Sequence, residues 1–275
     1  MQEREPSPNA GSVMATHGNH PSHAREEISH LLLDIEGTTC PVSFVAGMLF
    51  PYASAQLGSY LRDHGHEPAV LELLKSVLHS WCRDPDAEAK DLLSDYGGLE
   101  AVGTDHLQAL ESYLQLLIRC DRKVTALKDL QGMIWRHGYE SGRLKAPLFD
   151  DVPEALSRWS GQGKVLAVYS SGSVTAQKLL YGHTQAGDLT SLFHHWFDTR
   201  IGAKTESESY MRIATAMNCD RAAVLFISDS PSELKAACEA GMAVLFSDRP
   251  GNPERDSGNF ELISNYADLS FHGSS

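Results

Sequence analysis

Asp34 and Glu36 stand two residues apart, with Thr38 two further on, in the run Asp34-Ile35-Glu36-Gly37-Thr38-Thr39. Downstream come Ser170 and Ser171 ahead of Gly172, then Gly202-Ala203-Lys204, and then Asp229. Brought to one place, these residues offer three carboxylates, a hydroxyl pair beside a glycine turn, and an ammonium. Three carboxylates cannot share a small volume at neutral pH without a compensating cation. Oxygen ligands with no His or Cys among them favour Mg2+ over zinc. A magnesium site that also presents a hydroxyl, backbone amides and a lysine suits a phosphoryl group. An aspartate at a strand end can itself attack phosphorus. The sequence has no Gly-x-x-x-x-Gly-Lys loop and no Gly-x-Ser-x-Gly elbow, which disfavours a P-loop nucleotide site and an α/β-hydrolase.

The elements that must deliver these groups are written in the apolar pattern. His30-Leu31-Leu32-Leu33-Asp34 is a short apolar run ending on a carboxylate, as expected of a fully buried strand. Residues 164–169 and 223–228 read as two more strands, delivering Ser170 and Asp229, and 243–246 as another. Apolar spacing predicts helices over 152–160, 174–180, 207–217 and 231–240, the last opened by Pro231. Strand–helix alternation predicts an α/β fold with a doubly wound parallel sheet, whose ligands gather at the carboxyl ends of the strands. From residue 44 to 146 the periodicity is helical throughout, as in Leu57 and Leu61, Val70, Leu74 and Val77, Leu110, Leu114 and Leu117, and Leu127, Leu130 and Ile134. The strand at 30–34 must join the later sheet, so the helical segment is an insertion. The expected organisation is a core of residues 29–43 and 147–275 carrying an α-helical cap of residues 44–146. Residues 1–28, rich in Pro, Gly, Ser, Asn and His, read as a disordered leader with His17, His20 and His23 solvated.

Composition narrows the partners. At 275 residues and 42% hydrophobic, the chain is large enough to bury a sizeable core. Its 23 basic and 36 acidic residues leave a net charge of −13, which repels a nucleic-acid backbone. Five widely spread cysteines without a Cys-x-x-Cys pair argue against a disulfide framework and fit a reducing cytoplasm. No apolar stretch approaches the roughly 20 residues needed to span a bilayer, and no signal peptide is legible. A small-molecule partner is expected, with neither nucleic acid nor membrane.

The run Asp34-Ile35-Glu36-Gly37-Thr38-Thr39 resembles the opening motif of haloacid dehalogenase-superfamily phosphatases, and Ser170, Lys204 and Asp229 match the later motifs in order. Glu36 stands where that superfamily usually has Asp, which points to the enolase-phosphatases (acireductone synthases) of methionine salvage. Further runs are similar to that family: Phe44-Val45, Leu49-Phe50-Pro51-Tyr52, residues 125–132 with Trp135, Tyr169 to Ser173, residues 176–180, and Lys204 to Tyr210. The resemblance spans roughly residues 30–250. It implies a two-step reaction, enolisation of 2,3-diketo-5-methylthiopentyl 1-phosphate and then dephosphorylation to the acireductone through an aspartyl phosphate. It also implies a monomer with one Mg2+ per subunit. By matched position Asp34 is the phosphoryl acceptor, Glu36 lies at the metal and is a candidate for proton transfer, and Asp229 ligates the metal. Lys204 neutralises the phosphate, Ser170 and Ser171 hold it, and Thr38 and the turn amides donate to its oxygens.

Other residues carry plainer expectations. Asp188, Asp198 and Asp248 read as structural or solvated, and His194 and His195, among Phe193, Trp196 and Phe197, as packed. Trp135 and Trp159 read as core, and Arg136, Arg143 and Lys145 as a solvated helix face. Glu206 and Glu208 are expected to hold the turn of Lys204, and Glu233 to stand behind the metal. Two alternatives stay open, a plain magnesium phosphatase of another small ester and a catalytically silent binding protein. A halide-displacing enzyme has no need of a metal-binding acid at Asp229.

Overall fold

The computed structural model describes residues 27–96 and 106–271. Almost all of the leader read over residues 1–28, its histidines included, lies outside the described residues. Ile28 does not: it is buried in the core, and its carbonyl accepts a hydrogen bond from Lys164 Nζ, so order begins before residue 29.

A six-stranded, all-parallel sheet runs in the order β3-β2-β1-β4-β5-β6. Its strands are β1 (His30–Leu33), β2 (Val165–Tyr169), β3 (Phe193–Phe197), β4 (Val224–Ser228), β5 (Ala243–Ser247) and β6 (Leu262–Ile263). The central strand reads as an unbroken apolar run because both its faces are covered. Leu31 and Leu33 join one buried cluster with α7 (Val152–Gly161), while Leu32 joins another with α9 (Ser207–Ala216) and α10 (Pro231–Glu239). Each such leucine is fully buried, a gain of about 2 kcal/mol per side chain.

From β1 the chain passes to β2 and β3 on one side, then crosses to β4 on the other. The crevice of a doubly wound sheet opens at this reversal. Leu33 pairs with Val168 of β2 and Ile227 of β4, so residues 34, 170 and 229 leave neighbouring strands close to one level.

Between β1 and β2 lie α1 (Val42–Phe44), a π-helical turn (Val45–Leu49), α2 (Phe50–His64), α3 (Pro68–Trp81), α4 (Ala87–Asp95), α5 (Leu107–Arg119) and α6 (Thr125–Glu140). These helices have a core of their own. Leu57, Leu61, Leu74, Val77, Leu110, Leu114, Leu117, Leu130 and Ile134 all face it. Trp135 packs against both this core and the sheet's, and its indole N–H donates to Leu49 O at 2.8 Å. It is half-buried, unlike Trp159. Arg136, Arg143 and Lys145 are exposed, as a solvated face requires.

Two readings need correction. Phe193–Phe197 is an edge strand on which His194 is exposed, while His195 is half-buried and stacks on Phe197, so only His195 is packed as expected. An edge strand with one open face tolerates polar residues, which hid it among helices in the sequence. The short β6 was also not anticipated.

The helical segment carries one buried ionic cluster. Asp84, 5% exposed, accepts from Tyr113 Oη at 2.6 Å, Arg122 Nη1 at 2.7 Å and the Asp86 amide at 3.1 Å. Burial alone would raise the Asp84 pKa, but these donors outweigh it and lower it. Asp84→Ala leaves the donors of Tyr113 and Arg122 without their partner and is expected to cost about 2 kcal/mol, read as a lower urea midpoint. The same carboxylate contributes stability above its unfolded pKa of about 3.9. That contribution is lost as pH falls through the lower folded value, so the variant and parent should converge in acid.

Candidate active site

Asp34 leaves the end of β1 as a 6% exposed carboxylate, and Lys204 Nζ donates to its Oδ1 at 2.7 Å. The same ammonium lies 2.7 Å from Glu233 Oε2, near the start of α10. Burial opposes the charge on Lys204, but the two carboxylates more than offset it and its pKa is raised. Ser228, the last residue of β4, donates to Glu233 Oε2 at 3.0 Å and lies 3.4 Å from Asp34 Oδ2.

Asp229 is brought to the site through Gly37. At φ +69° Gly37 is in the left-handed region, and a Cβ there would sit 2.0 Å from Asp229 Oδ2. Burial raises the Asp229 pKa to about 7, aided by Asp34 and Glu233 and opposed by Lys204. Burial and then Asp34 also raise Glu36, and burial and then Asp34 raise Glu233. These shifts mark an excess of negative charge in a poorly solvated site. Among the described residues no three His, Cys, Asp or Glu side chains converge as a metal cluster. A divalent cation here would therefore take two carboxylates and complete its shell with main-chain or water oxygens.

The turn after Asp34 closes on itself. The amides of Thr38, Thr39 and Cys40 all donate to Ile35 O, and that of Gly37 to Cys40 O. Amides 37–40 are thus occupied within the turn. The turn's own bonds leave out the Ile35 and Glu36 amides. Thr38 is fully buried and its hydroxyl has no partner among the described residues.

Ser170 directly follows β2, is 5% exposed, and its Oγ accepts from the Gly172 amide at 3.2 Å. Ser171 is exposed. Gln177 steadies this loop, donating to Gly172 O at 2.8 Å and Phe197 O at 2.7 Å. Asp198, read as structural or solvated, is buried, accepts the Val174 amide at 3.2 Å, and is held at a pKa of about 2 chiefly by hydrogen bonds from Arg200.

Glu206 helps to hold the Lys204 turn through its main chain, its amide donating to Ala203 O at 3.1 Å, but the carboxylates of Glu206 and Glu208 do not. Glu206 is exposed, and the Glu208 carboxylate pairs with Arg212 at the surface. Three hydroxyls supply the side-chain contacts: Tyr210 Oη donates to Lys204 O at 2.7 Å, Ser209 Oγ to Ala203 O at 2.8 Å, and Tyr169 Oη to Gly202 O at 3.0 Å. Ser228, Gln177, Ser209 and Tyr210 escaped the sequence reading as site residues. Their one signal is position, at a strand end or in the first turns of the following helix.

Gly37→Ala tests the placement of Asp229. Its Cβ would overlap the Asp229 carboxylate, besides costing about 1–2 kcal/mol of left-handed strain. Turnover of a phosphate ester should fall at least about 100-fold, with divalent-cation affinity by calorimetry reduced in parallel.

Comparison with known proteins agrees with this geometry. Residues 28–241 match the family model of haloacid dehalogenase-like hydrolases. The enolase-phosphatase E1 of Synechococcus sp. strain CC9902 is 47% identical over 242 residues, covering 88% of this chain and 98% of that one. The enolase-phosphatase E1 of Prochlorococcus marinus strain MIT 9313 is 50% identical over 236 residues, covering 86% and 95%. Among solved structures, the UTR4 protein of Saccharomyces cerevisiae superposes with a TM-score of 0.66 at 34% identity, covering 88% of this chain and 100% of that one. The chain belongs to the haloacid dehalogenase-like hydrolases and, within them, to the enolase-phosphatase E1 family.

Proposed function

We propose that this enzyme enolises 2,3-diketo-5-methylthiopentyl 1-phosphate and then removes its phosphate, giving 1,2-dihydroxy-3-keto-5-methylthiopentene, as a step of L-methionine salvage. One observation carries the reading: a buried ammonium, Lys204, is clamped between Asp34 and Glu233 at the carboxyl edge of the sheet. Relatives named enolase-phosphatase that match almost end to end support the substrate.

Asp34 attacks phosphorus while the bond from phosphorus to the substrate oxygen breaks, and water then hydrolyses the aspartyl phosphate. Lys204 turns from the free carboxylate to the phosphoryl oxygens as charge shifts onto them. Ser170, Ser171 and Thr38 donate to the same oxygens. Glu36, with the longer arm and a raised pKa, takes the proton from the carbon bearing the ester and returns one to the leaving oxygen. The oxygen-only donor set of Asp34, Asp229 and Glu36, by side chain or main-chain carbonyl, fits one Mg2+ per subunit. When bound, that ion supplies positive charge to the phosphate and polarises the neighbouring carbonyl.

Residues 44–146 act as the cap that closes over the ester and excludes water. No helix among the described residues is long and apolar enough to cross a membrane. None of the described cysteines is joined in a disulfide, which suits a cytoplasmic enzyme acting on a dissolved metabolite.

Enol absorbance and phosphate release, followed together on the diketo ester, test the proposal. Both should appear with Mg2+ and fail without it, and Asp34→Asn should cut phosphate release at least about 1000-fold. Phosphate from generic esters with no turnover of the diketone would instead mean a plain phosphatase. Cation binding without turnover of either would mean a silent binding protein.

A further inference from the structure

With its amides closed inward, the turn after Asp34 presents the carbonyls of Gly37, Thr38 and Thr39 outward, and each is held from elsewhere in the chain. Gly37 O accepts from Asn252 Nδ2 at 2.8 Å and from Ser247 Oγ at 3.1 Å. Thr38 O accepts from Tyr266 Oη at 3.0 Å, and Thr39 O from the Phe149 amide at 3.1 Å. None of these donors belongs to the stretches that carry Asp34, Ser170, Lys204 or Asp229.

Arg249 stands at the centre of the group. It is 2% exposed, and its Nη1 reaches both oxygens of Asp151, at 3.0 and 2.9 Å, and Ser264 O at 2.8 Å. The guanidinium lies 4.1 Å from the Tyr266 ring centroid and 4.9 Å from that of Phe149. Asp151 also accepts the Tyr266 amide, so one ion pair fixes two of the elements that grip the turn. The other guanidinium nitrogens, Nε and Nη2, have no partner among the described residues. A buried, half-satisfied guanidinium is a poor way to gain stability alone.

We infer that Asn252, Ser247, Tyr266 and the Arg249–Asp151 pair are positioning residues for the phosphoryl transfer. They hold the carbonyls of residues 37–39 from outside, so that the carboxylate of Asp34 keeps one attack direction. Asn252 has a second grip, since Nδ2 also donates to Ser247 O at 3.1 Å, locking β5's end to the turn. Attack geometry is sensitive to shifts near 1 Å, which can cost about 100-fold in rate. The inference rests on Asp34 being the phosphoryl acceptor.

The test uses the full chain and the diketo phosphate ester, with Asn252→Ala and Tyr266→Phe. Both should lower kcat about tenfold or more and change KM less than about twofold. Hydrogen exchange at the amides of Thr38, Thr39 and Cys40 should accelerate in both. Ser247→Ala should behave alike, and Ser247→Thr, which keeps the hydroxyl, should restore the rate. If Asn252→Ala fails to fold, Tyr266→Phe decides alone, because it removes one oxygen and leaves the ring on Arg249. Parental kcat and parental exchange in a folded Tyr266→Phe would overturn the inference. Full phosphate release by Asp34→Asn would overturn the acceptor reading instead, so the two failures are distinct.

Discussion

The site is governed by an excess of negative charge at the carboxyl edge of a parallel sheet. Asp34, Glu36, Asp229 and Glu233 share this region, and Lys204 touches two of them. A single ammonium cannot compensate four carboxyl groups out of bulk water, and the raised pKa values of Glu36, Asp229 and Glu233 express the remainder. Much of the surrounding structure keeps these charges apart yet near. Gly37 is required because Asp229 fills the space a side chain would take. Ser228 bridges toward Asp34 and Glu233, and the first turn of α10 sets its partial positive charge beside Asp229. An arrangement short of positive charge is suited to an anionic substrate arriving with a divalent cation.

Lys204 must satisfy two roles, and its anchoring shows how. Its side chain is a buried counter-ion, while its main chain is gripped by Tyr210 through the carbonyl and by Ser209 and Tyr169 through the preceding residues. The long aliphatic stem would otherwise let the ammonium wander, since lysine carries considerable rotamer entropy. Fixing the backbone and pinching the ammonium between two carboxylates restricts it at both ends.

What was legible in the sequence follows from burial. Leu31 to Leu33 announce a strand because both faces are covered, and a parallel sheet sends its functional residues to the strand ends, so Asp34, Ser170 and Asp229 could be placed. Phe193–Phe197 resisted because a half-open edge carries histidines between aromatics. Asn252, Ser247 and Tyr266 resisted for a different reason. They bind carbonyls 215, 210 and 228 positions away, and a carbonyl leaves no mark on residue type. The same applies to Gln177, whose partners are the main chain of Gly172 and Phe197. Side chains that act on side chains leave paired signals, whereas those that act on backbone leave one ordinary polar residue.

The external grip on residues 37–39 also stands between Asp34 and the helical segment that follows it in the chain. The helical segment leaves the sheet's core only after Leu49, since Phe44 and Leu49 are buried with it, and returns through Tyr139, Leu144 and Ala146. Only a short loop separates Asp34 from α1, so the carboxylate and the helical segment share one stretch of chain. The donors that hold Gly37, Thr38 and Thr39 come from residue 149 and from residues 247–266, on the sheet side of both connections. Between the helical segment and Asp34 the chain therefore passes carbonyls anchored to the core. The Asp34 carboxylate is thereby kept in register with the Lys204 ammonium.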